Sequence, residues 1–180
     1  MAMNCSETKR DEAKSNMIRI SEAIRRQIER HGEQTYPEEC CGVLLGFIHQ
    51  DDSRRIEEII EIDNRQADNR RRRFFITPEQ YRQAEQAALD RHMDLLGFYH
   101  SHPDHPAIPS TFDRDHALPW FDYIIVSVQN GRAAAMAAWQ LSEDRSRFLQ
   151  REIVIEASSL RSDRPENSFS PVQAFGEKKP

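Results

Sequence analysis

The chain has 180 residues, 38% of them apolar, with 25 Lys and Arg against 30 Asp and Glu for a net charge of −5. One core of ordinary size can be buried by such a chain and two full domains cannot, and the excess of acid excludes a protein-wide positive field that would gather nucleic acid or an anionic membrane. No stretch approaches the ~20 apolar residues of a membrane span, and the mixed-charge N-terminus has no apolar centre of the length a signal peptide needs, so a soluble, cytoplasmic protein is expected.

Residues 1–16 mix charges without periodicity and are expected to form a flexible tail. "MIRI" (17–20) reads as a short strand. Ser21 as N-cap, Ile24 and Ile28 one turn apart, and Gly32 as a stop predict a first helix. "CGVLLGFIH" and "RRIEEIIEI" follow as strand runs, apolar and alternating, with "QDDS" as the hairpin turn between them. After a polar loop from Asn64 to Arg73 comes "FFI", read as another short strand. Thr77, Pro78 and Gln80 form a capping-box pattern that starts a second helix. "DLLGFYHSH" is an apolar strand. "FDYIIVSV", "RAAAMAAWQL" and "SRFLQREIVIEA" read as three more, the first two joined at Asn130-Gly131, a strong hairpin signal. Residues 157–180 are polar, contain proline and lack periodicity, and are expected to be a second flexible tail. The order predicts one α/β (α+β) domain over residues 17–156, a mixed β-sheet flanked by two main helices.

Cys5, Cys40 and Cys41 make an odd count, and adjacent cysteines are badly placed to bridge each other, so reduced thiols are expected. Burial of Cys40 and Cys41 as small hydrophobes fits better than a redox pair, which would want Cys-x-x-Cys spacing. The one basic run, Arg70 to Arg73, is either a solvated turn flanking a strand or a patch that touches an acidic partner.

The chemistry concentrates in "GFYHSHPDHPAIPSTFD", residues 97–113, which holds three of the seven histidines. If residues 94–102 are a strand, His100 and His102 point to one face, because strand side chains alternate with period two. Two convergent imidazoles need a third ligand to fix a metal while leaving a position open for water, the arrangement of catalytic zinc. Asp113 can supply it: Pro103, Pro106 and Pro109 force an extended loop, and Ser110 then begins a helical turn that brings the chain back. Ser110-Thr-Phe-Asp113 is also a helix start signal, an N-cap serine with an acid at the third helical position. From these residues alone Asp113 is a ligand, a cap, or both.

His100-Ser-His102, seven residues, then Ser110-Thr-Phe-Asp113 resembles the signature of the JAMM (MPN+) metallopeptidases with every spacing kept. The upstream glutamate of that family stands three residues before a glycine that opens an apolar strand. "EECCGVLLG" places Glu39 there, before Gly42, with Glu38 the competitor one position away; neighbouring strand residues face opposite sides, so only one can look into the site. The resemblance spans residues 17 to 156. It implies a cytidine-deaminase-like MPN fold and one zinc ion per chain, held by His100, His102 and Asp113. It also implies Glu39 as proton shuttle and Ser110 as hydrogen-bond donor to the oxyanion. His105 and His116 are then rim residues, since a fourth protein ligand would displace the water, and His31, His49 and His92 are surface residues. No His or Cys follows His116, so the second zinc site of some eukaryotic members cannot be built.

By the same resemblance, minimal prokaryotic members hydrolyse a peptide or isopeptide bond after the C-terminal Gly-Gly of a ubiquitin-like β-grasp protein, typically a sulfur carrier. A partner of that kind could add a strand to an exposed sheet edge beside the zinc. Two rivals stand beside this reading. One is a non-catalytic scaffold of the same fold, which normally lacks the ligands filled here. The other is a nucleic-acid-processing relative, in conflict with Ser101 and with the negative charge.

Overall fold

The computed structural model describes residues 16–156, and the flexible tails expected at 1–16 and 157–180 lie outside the described residues except for Asn16. The strands are β1 (Met17–Ser21), β2 (Cys41–Ile48), β3 (Arg54–Ile62), β4 (Asp94–Pro103), β5 (Asp122–Gln129), β6 (Arg132–Leu141) and β7 (Phe148–Glu156). The helices are α1 (Glu22–Thr35), α2 (Pro78–Asp90) and α3 (Thr111–His116). No described helix is long and apolar enough to cross a membrane.

The seven strands form a closed barrel in the order β1-β3-β2-β4-β5-β6-β7. This corrects the expected α/β architecture, a mixed sheet flanked by two main helices in the cytidine-deaminase-like manner. The physical reason lies in β1. Three of its five residues pair in parallel with β3, Ile18↔Arg54 to Ile20↔Ile56, and all five pair in parallel with β7, Met17↔Glu152 to Ser21↔Glu156. One short strand thus joins what would be the two edges of an open sheet, pairing Arg54–Ile56 of β3 and Glu152–Glu156 of β7. At the site itself His100 has a paired neighbour on each side, Cys41 on β2 and Ile125 on β5.

Local signals set the helices. The Ser21 side chain accepts from the Ile24 N–H and caps α1, whose buried face is Ile24, Ile28 and Gly32. Gly32 is not the stop that its residue type suggested. It lies inside the helix, where an added Cβ would sit 3.0 Å from Val128 Cγ2 and 3.3 Å from Val126 Cγ1, so glycine lets α1 approach the barrel. The capping box of Thr77 and Gln80 starts α2, whose Ala84 and Ala88 pack over Val43 and Leu45. Leu44, between them in sequence, belongs to the core beneath α1 with Ile18, Ile20 and Tyr99, so β2 is buried on both faces. Asn130 and Gly131 both have positive φ, 51° and 79°, and make the tight turn between β5 and β6. "FFI" is not a strand; its backbone is taken up by loop contacts.

At the strand ends away from His102, three strands are tied by a buried charge cluster. Asp122, 1% exposed, accepts from Arg54 Nη1 at 3.0 Å and lies 3.8 Å from Arg151 Nη1. Burial pushes its carboxyl upward, and the two guanidiniums pull it back. Asp122→Asn keeps the shape but leaves the buried Arg151 and the partly buried Arg54 without their counter-charge, and is expected to cost on the order of 3 kcal/mol by urea denaturation. A loss under about 0.5 kcal/mol, the range of an ordinary surface substitution, would show that the cluster does not hold the barrel together.

Candidate metal centre

The alternation of β4 puts His100 and His102 on one face, both buried, with their Nε2 atoms 3.0 Å apart. The loop that follows is pinned rather than merely stiffened by its prolines. Asp104 accepts from the Tyr36 hydroxyl at 2.9 Å and from the Asn130 N–H at 2.9 Å. Ser127 Oγ donates to the His105 carbonyl at 2.7 Å, and Trp139 Nε1 donates to the Ala107 carbonyl at 3.0 Å. These ties deliver Ser110 to the start of α3. There the Ser110 N–H donates to Asp113 Oδ2 at 2.6 Å, and the Asp113 N–H donates to Ser110 Oγ at 3.1 Å, a complete capping box.

The same carboxylate faces both imidazoles. Asp113 Oδ1 is 3.5 Å from His100 Nε2, and Oδ2 is 3.5 Å from His102 Nε2. Asp113 is therefore a cap and a third wall of the cluster at once, and the cap orients the carboxylate. Among the described residues these three form a group whose ligand-type atoms all lie within 4.8 Å of one another. Two atoms each ~2.0–2.1 Å from a tetrahedral zinc lie about 3.3 Å apart, and the observed separations of 3.0, 3.5 and 3.5 Å bracket that value.

The hydrogen bonds favour the ligand form. His102 Nδ1 donates to the Pro106 carbonyl at 2.8 Å, which makes Nε2 the nitrogen that faces the cluster, as outer partners do for metal-binding histidines. Burial pushes the His100 imidazole down and keeps it neutral. Burial acts on His102 in the same direction, but the adjacent Asp113 carboxylate and the Pro106 carbonyl outweigh it and raise its value. Burial opposes ionisation of Asp113 as well; the two imidazoles and the Ser110 N–H overcome it and hold the carboxyl well below the usual range. The residues present fit a divalent cation.

Glu39 is 4% exposed. Its N–H donates to the Arg70 carbonyl at 2.8 Å, and its carbonyl accepts from Asn64 Nδ2 at 3.1 Å, so the loop after β3 fixes the chain just before β2. Burial raises its carboxyl to about 8, with positive charge on His102 opposing and Asp113 adding to the rise. Glu38 is half-exposed and pairs with Arg70 at 3.2 Å. Of the two, Glu39 is the buried one that feels the charges of the cluster.

Residues 21–142 match the family described as prokaryotic homologs of the JAB domain. The chain belongs to that family. It is the group to which the JAMM signature pointed. A relative named desampylase, from Haloferax volcanii, is 35% identical over 100 residues, 55% of this chain and 68% of that one. The solution structure of a protein from Salinibacter ruber is 40% identical with a TM-score of 0.63, covering 81% of this chain and 96% of that one. That of a protein from Desulfitobacterium hafniense is 25% identical with a TM-score of 0.69, covering 79% and 94%.

Two residues of this JAB domain that shape the site carried no sequence signal. Asn64 Nδ2 donates to the carbonyls of Glu39 and Arg73, and its Oδ1 accepts from the N–H groups of Gln66 and Phe75. Phe74 stacks on His100 with ring centroids 4.6 Å apart. The basic run is more than a solvated turn: Arg70 pairs with Glu38, and the Arg73 guanidinium lies 4.8 Å over the Phe112 ring. His105 and His116 are exposed and outside the cluster. His31, expected at the surface, is half-buried with Nδ1 2.9 Å from the Tyr99 hydroxyl. Cys40 and Cys41 are buried and free, their thiols pushed up to about 12 by burial. His100 and Asp113 also line a mainly apolar cavity of about 460 Å³.

Proposed function

We propose that this JAB domain is a zinc metallopeptidase that hydrolyses a peptide or isopeptide bond after the C-terminal Gly-Gly of a ubiquitin-like β-grasp protein, with a sulfur carrier as the favoured substrate. The observation that carries the proposal is the convergence of two imidazole nitrogens and a carboxylate beside the buried Glu39. Family membership and the likeness to desampylase support a hydrolase that acts on ubiquitin-like modifiers.

His100, His102 and Asp113 would hold zinc, which supplies Lewis acidity toward the scissile carbonyl and the attacking water. Glu39 takes the proton of that water and passes it to the leaving amine. Burial raises the basicity of the Glu39 carboxylate above that of an ordinary one, which suits a group that takes a proton from water and hands it on. Ser110 Oγ accepts from Asp113, yet a hydroxyl keeps a hydrogen to donate. That hydrogen goes to the oxyanion, a contact worth about 3 kcal/mol in comparable sites.

The test pairs metal analysis with cleavage. One zinc per chain is expected by atomic emission. A β-grasp carrier extended beyond Gly-Gly should be cut far faster than a short peptide of the same tail, because binding energy comes from the folded surface. Equal rates would indicate a general peptidase, and a protein with neither zinc nor cleavage is the scaffold.

A further inference from the structure

We infer that Asn64 is a positioning residue for the proton shuttle: its side-chain amide fixes the peptide group of Glu39, and through it the place of the carboxylate. The inference rests on the role proposed above for Glu39 and names the residue on which that role depends.

Asn64 stands just past the last rung of the β2–β3 ladder. Cys41 pairs with Ile62, and residues 39 and 64 lie two positions beyond that pair on either strand. The backbone ladder stops there, and a side chain takes its place. Asn64 Nδ2 donates to the Glu39 carbonyl at 3.1 Å and to the Arg73 carbonyl at 3.0 Å. Its Oδ1 accepts from the Gln66 N–H at 2.9 Å and from the Phe75 N–H at 3.1 Å. Two donated and two accepted bonds use the full capacity of a carboxamide. Aspartate would turn an oxygen toward two carbonyls, and alanine would leave all four groups unpaired. The site is buried, with Asn64 7% exposed, so a lost bond is not simply exchanged for one to bulk water.

The peptide group that joins Glu39 to Cys40 is thereby gripped at both ends. Its carbonyl accepts from Asn64, and its N–H donates to Ser101 Oγ at 2.9 Å. Ser101 sits between the two histidines of β4, and its own N–H donates to the Cys40 carbonyl at 3.2 Å. One grip therefore belongs to the strand that carries His100 and His102, and the other to the loop after β3. The Glu39 N–H donates into that same loop, to the Arg70 carbonyl. Residue 39 precedes β2, which begins at Cys41, so it is this loop that holds the base from one side. Phe74, stacked on His100, lies between Arg73 and Phe75, both bonded to Asn64. One amide thus ties the base and the packing of an imidazole to a single point. A general base must stand within hydrogen-bond reach of its proton, and a misplacement of about 1 Å can cost on the order of a hundredfold.

The test combines a double-variant cycle with amide exchange, on zinc-loaded full-length protein kept well below its melting temperature. Cleavage of a β-grasp carrier extended beyond Gly-Gly is followed by mass spectrometry. Asn64→Ala should lower kcat on the order of tenfold to a hundredfold, with KM and zinc content unchanged. Introduced into Glu39→Gln, it should cause no further loss, because a base that is already gone cannot be misplaced. Asn64→Asp keeps the acceptor for Gln66 and Phe75 and removes both donors. It should behave in the same way, and it carries the test if the alanine protein does not fold. Asp122→Asn, destabilised at the far end of the barrel, should keep its kcat. In hydrogen exchange, the Glu39 N–H should lose about tenfold or more of its protection in either Asn64 variant, while the amides of β5 keep theirs. A kcat lowered by the same factor in both backgrounds, or unchanged by the Asn64 substitutions, overturns the inference. If Glu39→Gln is as active as wild type, or no carrier is cut, the proposed role of Glu39 fails and the exchange experiment decides alone. A loosened Glu39 amide then supports Asn64 as the holder of residue 39, and an unchanged one overturns it.

Discussion

Glu39→Gln should lower turnover by two to four orders of magnitude, the usual contribution of a positioned general base, while zinc content and the fold stay normal. Glutamine has the shape of glutamate but cannot take up a proton. The backbone bonds that place residue 39, to the Arg70 carbonyl and from Asn64, do not involve the exchanged atoms. Glu38→Gln is the control. It removes a half-exposed pair with Arg70, worth under ~1 kcal/mol, and should leave kcat unchanged. The same substitution has a pH signature in metal-free protein. Glu39 rises from 4.5 to about 8 on folding, so its protonated form is favoured in the native state. Its contribution to stability is complete below 4.5 and is lost as the pH climbs toward 8. Relative to Glu39→Gln, chelator-treated wild type should therefore lose stability over that interval in urea denaturation. A wild type that gains on the variant as the pH rises would place residue 39 in a polar setting and remove it from the role of shuttle.

The second large effect concerns Asp113. Asp113→Ala should reduce bound zinc from one per chain to near zero, as should His100→Ala and His102→Ala, with activity below detection. Loss of an outer partner of a metal ligand costs about 10–100-fold in affinity, and loss of a ligand should cost more. Because Asp113 also closes the capping box of α3, its removal alone does not separate the two jobs. Ser110→Ala does. It deletes the Oγ acceptor of the Asp113 N–H at a cost of ~1 kcal/mol, leaves the carboxylate facing the imidazoles, and should keep its zinc. Its kcat should fall more than its substrate affinity if the hydroxyl serves the transition state. An Asp113→Ala protein that retains full zinc and only melts earlier would reduce Asp113 to a cap.

The site was more legible in the chain than the fold was. Period-two alternation is a local property, so His100 and His102 could be placed on one face without knowing what lay beside them. Ser110 and Asp113 announced their turn through capping chemistry, and the same logic found the start of α2. Partners were another matter. A run such as "MIRI" says that a strand forms but not that it pairs with both Ile153 and Arg54, and that double pairing turned an expected sheet into a barrel. Gly32 misled because a glycine that ends a helix and one that lets a helix approach a barrel look alike until the neighbour is known. Asn64 and Phe74 escaped notice for the same reason: their partners, Glu39 and His100, lie 25 and 26 positions away.

The seam formed by β1 bears on how the chain matures on the ribosome. Met17–Ser21 leaves the exit tunnel before every other strand, while β7, which must lie beside it, leaves last. Until then Ile18 and Ile20, both fully enclosed in the finished molecule, have only one of their two flanking strands available. Until β7 follows, the nascent domain is an open sheet with exposed apolar surface, and the arrival of β7 beside β1 is the step that seals the barrel.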